Sequence, residues 1–345
     1  MHRGELMYAA EVDTHLPQLS VGDTLTFAAR ARQSGRASTK DTKGIVMHLR
    51  DVIMAMFGIS HTVNTKVGND FVRGVSGGER KRVTIAEASL AGSPLGCWDN
   101  PTRGLDSANA VEFCKTLRLQ VDLFRTTSLV SIYQAPQQAY NLFDKVLVLY
   151  DGQEIFFGHV DDAKQYFNNL GFECPARQTT PDFLTSMTSP TERVARQGFE
   201  GKVPRSANDF ANVWKQSPEL KSLRLEMTEY ESRHTLDGPD SEAFRSLKHS
   251  RQARGQRVTS AYTLSYPQQI SLCLWRKWKC LVAEPSLLIG MIVTNAIIAI
   301  IVGTLFFNLG QDTASFFQRG SLLYFACLMN ALSSSAEVIN CSHSP

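Results

Sequence analysis

The sequence lacks paired cysteines, a marked excess of one charge and an apolar N-terminal leader. Its seven cysteines form no CxxC pair and no metal-ligand spacing, which argues against a disulfide framework and against a zinc site. A formal net charge of +3 over 345 residues is too small to indicate a nucleic-acid-binding protein. The opening MHRGEL has none of the apolar core that secretory signals carry. Any membrane insertion must therefore come from internal segments.

Charge is also missing from two runs near the C-terminus. Residues 285–311 contain no charged side chain and are mostly aliphatic, and a helix of about 20 apolar residues is long enough to cross a bilayer. A second uncharged run, residues 320–336, is shorter and richer in serine. We expect membrane spans at about residues 286–309 and 320–337. A buried core helix is the alternative for the first run.

The segment before these runs carries positive charge only. From residue 245 to residue 280 there are eight lysines and arginines and no acidic residue, which predicts a cytoplasmic side. Residues 265–284 mix apolar and basic side chains, which favours an amphipathic helix at the membrane interface, with Trp275 and Trp278 near the headgroups. A solvated basic linker is the alternative. The chain is thus predicted to divide into a soluble part at 1–185, a charged helical connector at 186–264, an interfacial helix at 265–284 and a membrane part at 285–345.

The soluble part contains a glycine pair at the predicted start of a helix. In the sequence Ser76-Gly77-Gly78-Glu79, the serine and the glutamate have the spacing of a capping box. Glycines let a ligand approach the backbone closely, and the free N–H groups of a helix start attract phosphate. An ordinary capped helix would show the same four residues. The motif alone therefore leaves both interpretations open.

The residues that follow predict an α/β domain. A short apolar strand, Leu95 to Asp99, ends in a carboxylate that could face a metal–phosphate group. A turn at Gly104-Leu105-Asp106 leads into a helix, and residues 126–133 predict another strand. A hairpin is expected around Asp151-Gly152. Strands and helices that alternate, with phosphate-type loops at the strand ends, are typical of this fold class.

These motifs, in this order, resemble the latter two-thirds of an ATP-binding cassette (ABC) nucleotide-binding domain. The resemblance identifies residues 76–79 as the signature loop, Asp99 as the Walker B aspartate, Asp106 as part of the D-loop and Tyr133 as the histidine-loop position. The segment around Glu11, at the Q-loop position, resembles the pleiotropic drug resistance subfamily, the full-length relatives of the ABCG half-transporters. The resemblance extends to about residue 337. It implies a fold of the P-loop NTPase type, followed by a helical connector and an ABC-2 type transmembrane domain.

Three positions depart from the pattern of a hydrolytic cassette. Glu11 replaces a glutamine, Asn100 replaces the carboxylate that follows the Walker B aspartate, and Tyr133 replaces a histidine. An amide cannot act as a general base, and a tyrosine is neutral at pH 7. No residue is therefore predicted to be catalytically competent. The three changes resemble the degenerate first nucleotide domain of the subfamily.

The phosphate-binding P-loop is a further departure. No GxxxxGK[ST] motif occurs in the sequence, so independent ATP turnover is not expected. We expect the strands that should precede Glu11 to be missing as well. Past residue 337 the sequence no longer resembles a membrane helix. Both observations predict that the chain is truncated at its two ends.

The resemblance implies that the chain is part of an ATP-driven multidrug exporter embedded in a membrane. We expect this membrane to be the plasma membrane and the nucleotide-binding part to lie in the cytoplasm. It implies ATP and Mg²⁺ as cofactors, with Asp99 as a weak Mg²⁺ ligand. The implied partners are a second cassette, whose ATP the signature loop would contact, the lipid bilayer and apolar small molecules, but no nucleic acid. Two alternatives remain: a soluble ABC-type ATPase and a non-functional truncated product.

Overall fold

A computed structural model of the chain describes residues 5–35, 39–236, 238–257, 260, 262–307, 310 and 313–342. The strands of the described part are β1 Leu6–Ala9, β2 Leu95–Asp99, β3 Thr127–Ser131, β4 Lys145–Tyr150 and β5 Gln153–His159. Its α-helices are α1 Val21–Ala31, α2 Thr39–Met56, α3 Gly77–Leu90, α4 Ser107–Phe124, α5 Gln137–Tyr140, α6 Val160–Asn169, α7 Thr180–Ser186, α8 Ala207–Gln216, α9 Pro218–Arg233, α10 Pro239–Arg251, α11 Tyr266–Ala283, α12 Pro285–Leu305 and α13 Phe316–Ser342.

A parallel sheet in the order β1-β2-β3 forms the centre of the N-terminal part. Parallel strands need crossover connections. In chain order, helices α1 to α3 connect β1 to β2, and helix α4 connects β2 to β3. The α/β prediction for this part is therefore confirmed. The expectation that no strand precedes Glu11 was wrong, because β1 pairs with β2 from Leu6 to Ala9. β1 has the sequence LMYA, which is apolar throughout and so lacks the alternation of polar and apolar residues that identifies a strand from sequence.

Within the described part of the chain, only one face of this sheet is covered. Trp98 of β2 is buried and meets Phe113 of α4 edge-to-face, with ring centroids 5.6 Å apart. α1, α2 and α3 contribute to the same core. On the opposite face, Leu6, Tyr8 and Leu129 are exposed. These two faces follow from the alternation of side chains along a strand.

A second core surrounds the β4–β5 hairpin. The predicted turn at Asp151-Gly152 is confirmed, with positive φ values of 46° and 74° that suit a type I′ hairpin. Trp214 of α8 packs against Phe156 of β5, with ring centroids 5.2 Å apart, and its indole Nε1 donates a 2.6 Å hydrogen bond to Glu154. The hairpin is thereby joined to the connector helix α8.

Helix α11 lies within the predicted interfacial segment and packs against α1. The Arg276 guanidinium lies 4.2 Å from the ring centroid of Phe27, and Arg30 lies 5.1 Å from that of Trp275. Trp278, by contrast, is 64% exposed. Both tryptophans were predicted near the headgroups, and this stays a prediction; Trp275 also contacts Arg30 of α1. That α11 lies at a membrane interface stays a prediction.

Helices α12 and α13 cover most of the two predicted spans, while residues 308, 309, 311 and 312 lie outside the described residues. The described helices include none with both the length and the apolar character that a membrane crossing requires. We expected the resemblance to a membrane helix to end near residue 337; α13 continues as a helix to Ser342. A helix can continue through polar residues because its backbone hydrogen bonds do not depend on apolar side chains.

Candidate functional site

The signature residues form the N-terminus of α3. Ser76 is the N-cap, and its hydroxyl accepts a hydrogen bond from the backbone N–H of Glu79 at 3.3 Å. In return, the Glu79 carboxylate accepts hydrogen bonds from the backbone N–H of Ser76 at 2.9 Å and from its hydroxyl at 2.8 Å. The predicted capping box is thus confirmed. It stabilises a helix start that would otherwise have unpaired donors.

His61 is a further partner of this cap that the sequence did not reveal. Its Nε2 lies 2.8 Å from Oε1 of Glu79. The hydrogen bond from the backbone of Ser76, followed by the one from His61, lowers the pKa of Glu79 from its usual value of 4.5 to about 2. The carboxylate therefore stays ionised and engaged at neutral pH. Its charge also complements the positive end of the helix dipole.

Gly77 and Gly78 leave open space above the first turn of α3. A Cβ atom added at either position would meet no protein atom within 4 Å. The packing of this chain therefore does not require glycine at either residue. Gly77 is exposed, as is Ser76. The arrangement leaves the backbone N–H groups of the helix start accessible to an anion.

One prediction concerns the pH dependence of this cap. A carboxylate whose pKa is lowered on folding adds stability above its unfolded pKa, and this contribution is lost as pH falls towards the folded value. Glu79→Gln should therefore reduce the free energy of unfolding at pH 6, and the deficit should shrink between pH 4.5 and pH 2. Urea unfolding at several pH values measures this. Glu112→Gln on α4 is the control, because its carboxylate is largely exposed and should matter little at any pH. A deficit that does not change with pH would contradict the assignment.

Asp99 lies at the carboxyl end of β2, where the neighbouring strands supply its hydrogen-bond donors. The Tyr8 hydroxyl donates to Oδ2 at 2.7 Å, and the Ser131 hydroxyl donates to Oδ1 at 3.1 Å. The bond to Asp99 raises the pKa of Tyr8. Tyr8 precedes Asp99 by 91 residues, so only the strand pairing brings the two together. The Walker B position is held in a defined orientation.

Asn100, Glu11 and Arg103 form a second group at the same edge. Asn100 has φ +43°, a left-handed conformation that asparagine tolerates, and its Nδ2 donates a 3.0 Å hydrogen bond to Glu11. Arg103 donates to the same carboxylate oxygen. These bonds, from Arg103 first and Asn100 second, lower the pKa of Glu11. The Q-loop position and the position after Asp99 are thus in contact.

Tyr133 and the D-loop lie beside this group. Asn100, Arg103, Gly104 and Tyr133 line an open cavity of about 550 Å³, and the Tyr133 side chain is 73% exposed. Asp106 precedes the first residue of α4, and a hydrogen bond from the Asn109 side chain lowers its pKa. The cavity presents amide, guanidinium and phenol groups, and its lining includes no carboxylate or imidazole that could act as a base.

The donors at this edge fit a magnesium ion carried by a nucleotide. Mg²⁺ prefers oxygen ligands and often binds proteins through one or two carboxylates while the rest of its shell is phosphate and water. Asp99 supplies one carboxylate, and the side-chain oxygen of Asn100 is buried without a hydrogen-bond partner. Among the described residues, no group of three acidic, histidine or cysteine side chains could hold a metal alone. The edge therefore suits an ion that arrives with phosphate.

The structure divides the predicted site residues between two surfaces. Glu11, Asp99, Asn100 and Tyr133 share the carboxyl edge of the sheet, whereas Ser76 belongs to a separate surface at the start of α3. The sequence did not single out Tyr8, His61, Arg103 and Ser131. Local pattern could not have found them, because each acts on a residue that is distant in the chain.

An α/β cassette with a capped, glycine-rich helix start, followed by a helical segment, defines a nucleotide-binding class of protein. A family model described as ABC transporter matches residues 1–103, and a model described as ABC-2 type transporter matches residues 268–343. The chain belongs to the ABC transporter family, and its two domains and its relatives are those of the pleiotropic drug resistance type. The membrane-domain match also indicates membrane association.

The relatives are fungal transporters. The chain is 58% identical over 339 residues to the ZEB2-regulated ABC transporter 1 of Gibberella zeae, and this covers 98% of the chain and 23% of the relative. It is 57% identical over 341 residues to the ABC multidrug transporter A-1 of Aspergillus fumigatus, again with 98% and 23% coverage. The chain thus spans about a quarter of the length of the curated relatives that it matches.

Proposed function

We propose that these residues are the non-hydrolytic nucleotide-binding half and the first membrane segment of an ATP-driven exporter of apolar small molecules. The observation that carries the proposal is the contrast between two surfaces. The start of α3 is capped, open and suited to phosphate, whereas the edge at Asp99 has an amide where a base would be needed. In this proposal the signature loop contacts ATP that is held by the P-loop of a second cassette.

The chemistry at the carboxyl edge supports binding without turnover. Attack by water on a phosphate needs a group that orients or deprotonates the water. Asn100 has no basic lone pair, and the Glu11 carboxylate already accepts hydrogen bonds from Arg103 and Asn100. A bound Mg²⁺ would supply charge neutralisation for the phosphates. Asp99 would hold that ion, while Asn100 and Tyr133 would line the space beside it.

The membrane assignment rests on the ABC-2 match and on the charge pattern. The matched residues 268–343 include the uncharged run at 285–311. Most exposed side chains of α12 are apolar, among them Ile292, Ile297 and Ile300, and lipid is the solvent that would cover such a surface. We therefore propose a multi-pass protein with spans at about 286–309 and 320–337, in the plasma membrane, with the cassette in the cytoplasm.

The substrate class is proposed from the relatives. Three of them from Aspergillus fumigatus carry the name multidrug transporter, which suggests the export of apolar compounds of varied structure. Residues that choose among such compounds belong to membrane helices, and the cassette contributes the driving force.

Photolabelling tests the proposed division of roles. A full-length transporter that contains these residues is labelled with a photoreactive ATP analogue in Mg²⁺, and the labelled peptides are sequenced. We expect labelling around residues 76–79 that requires an intact P-loop in the second cassette. Labelling at 76–79 that persists after that P-loop is removed would refute the shared site.

Membrane extraction separates the proposal from a soluble ABC-type ATPase. We expect the chain to remain in the membrane pellet after washes with high salt and alkaline carbonate, because apolar helices do not depend on charge for attachment. Recovery of the intact chain in the salt wash would exclude the exporter and favour the soluble ATPase.

A further inference from the structure

The segment that follows β1 is joined to the signature helix by several side-chain contacts. Residues 11, 13 and 15 alternate along the segment, and residues 81, 84 and 87 lie on one side of α3. We name this set the α3 clasp, which consists of Glu11, Asp13, His15, Lys81, Thr84 and Glu87. Residues three or four apart lie on the same side of a helix, so contacts with the segment can repeat along α3.

Lys81 is the buried centre of the clasp. Only 4% of this residue is exposed. Its Nζ donates a 2.8 Å hydrogen bond to the backbone carbonyl of Glu11 and lies 3.4 Å from Oδ1 of Asp13. A buried ammonium group is costly unless it is paired and hydrogen-bonded. These two contacts therefore fix the position of the Lys81 side chain. Through them, Lys81 joins Glu11 and Asp13 to α3.

Thr84 and His15 continue the clasp one turn further along α3. The Thr84 hydroxyl donates to Oδ1 of Asp13 at 2.7 Å, and Nε2 of His15 lies 2.8 Å from the same hydroxyl. Nδ1 of His15 lies 3.4 Å from Glu87. The His15 ring is almost fully buried. A buried polar network of this kind is rigid when all its members are paired.

The two ends of the clasp belong to the two nucleotide surfaces. The side chain of Glu11 reaches Asn100 and Arg103 at the carboxyl edge, while its carbonyl is bound by Lys81. Lys81 lies in the second turn of α3, close behind the cap at Ser76. A short chain of direct contacts therefore joins the two surfaces.

We propose that Lys81 is a positioning residue that locks the Glu11 segment to the signature helix, so that the two nucleotide surfaces move as one body. The proposal rests on the proposed function only for the identity of the ligands. Nucleotide bound at the carboxyl edge would then fix the orientation of Ser76 towards the ATP of the second cassette. Conversely, ATP bound at Ser76 would fix the orientation of Glu11 at the carboxyl edge. Both effects must be equal in size if the coupling is one of binding free energies.

Hydrogen–deuterium exchange on the whole chain, without nucleotide, tests the lock. Lys81→Met keeps the length of the side chain and removes the charge and its donors. Hydrogen bonds to charged groups contribute enough that their loss should speed local exchange by about tenfold to a hundredfold. We expect this acceleration in both residues 11–15 and residues 76–81. Acceleration in one of these segments alone, or in neither, would overturn the proposal.

Two further variants guard against a purely structural effect. Lys115→Met, on the exposed surface of α4, should leave exchange in both segments unchanged. Thr84→Val removes the hydroxyl that joins Asp13 and His15 but keeps Lys81, and it should loosen the same two segments to a smaller extent. A uniform acceleration across the chain in Lys81→Met, together with no change in Thr84→Val, would show that Lys81 supports the fold only.

A nucleotide arm distinguishes failure of the lock from failure of the proposed function. In a full-length transporter containing these residues, Mg²⁺-ATP should slow exchange at both 11–15 and 76–79, and in Lys81→Met the two segments should respond independently. Joint protection that survives Lys81→Met would refute the lock. Absence of protection in the unaltered protein would refute the proposed function, while the ligand-free comparison would still decide whether Lys81 joins the segments.

Discussion

Gly77→Asp is expected to abolish most ATP hydrolysis in a full-length transporter that contains these residues, with a loss of about a hundredfold in kcat. An aspartate at this position places a carboxylate where the phosphates of the partner's ATP would meet the start of α3. The fold should tolerate the change, because a Cβ at Gly77 meets no protein atom within 4 Å. Acidic residues also suit the first turn of a helix. The loss is measured as steady-state phosphate release at saturating ATP.

Asn100→Ala provides the contrast for this prediction. If the edge at Asp99 does not hydrolyse ATP, removal of the Asn100 amide should change kcat by less than about twofold. Ser76→Ala is a poorer test, because loss of an N-cap alone destabilises a helix by about 0.5–2 kcal/mol. Equal losses from Gly77→Asp and Asn100→Ala would contradict the division of roles between the two surfaces.

Trp214→Ala is expected to destabilise the second core by about 3–5 kcal/mol, because truncation of a buried tryptophan leaves a cavity. Trp214 is 2% exposed. Its ring packs against Phe156 and Tyr166, and its Nε1 donates to Glu154. Chemical unfolding of the whole chain, followed by near-ultraviolet circular dichroism, measures the effect.

Trp278→Ala is the matched control. The same chemical change at an exposed position of α11 should alter the unfolding free energy by no more than about 0.5 kcal/mol. A similar loss from both variants would mean that α8 does not dock on the β4–β5 hairpin as described. A stable Trp214→Ala protein would show that the second core can collapse around the missing ring.

The parts of the site that the sequence predicted are those governed by local rules. The capping box of Ser76 and Glu79 depends on residues three apart, and the hairpin at Asp151-Gly152 depends on two adjacent residues. Likewise, an apolar run that ends in Asp99 predicted β2 with its observed ends. In each case the information lies within a few residues of the structure it specifies.

The parts that were missed depend on contacts between distant residues. Tyr8 reaches Asp99 across 91 residues and Arg103 reaches Glu11 across 92. These pairs form only once β1 and β2 lie side by side, and no short stretch of sequence contains both members of either pair. The contact between Trp275 and Arg30 was not foreseen either, because the two residues lie on different helices that are far apart in the chain.

The exposed face of the parallel sheet has a consequence for the abundance of the protein in a cell. Leu6, Tyr8 and Leu129 present an apolar surface to water, and Tyr8, Cys97 and Leu129 are aligned in register across the three strands. Such surfaces associate with one another and are bound by chaperones, which pass unprotected chains to proteases. The abundance of the protein should therefore depend on how quickly another surface covers this face after synthesis. The half-life of the protein, measured by pulse-chase, would show how quickly this face becomes covered, and this measurement does not depend on transport activity.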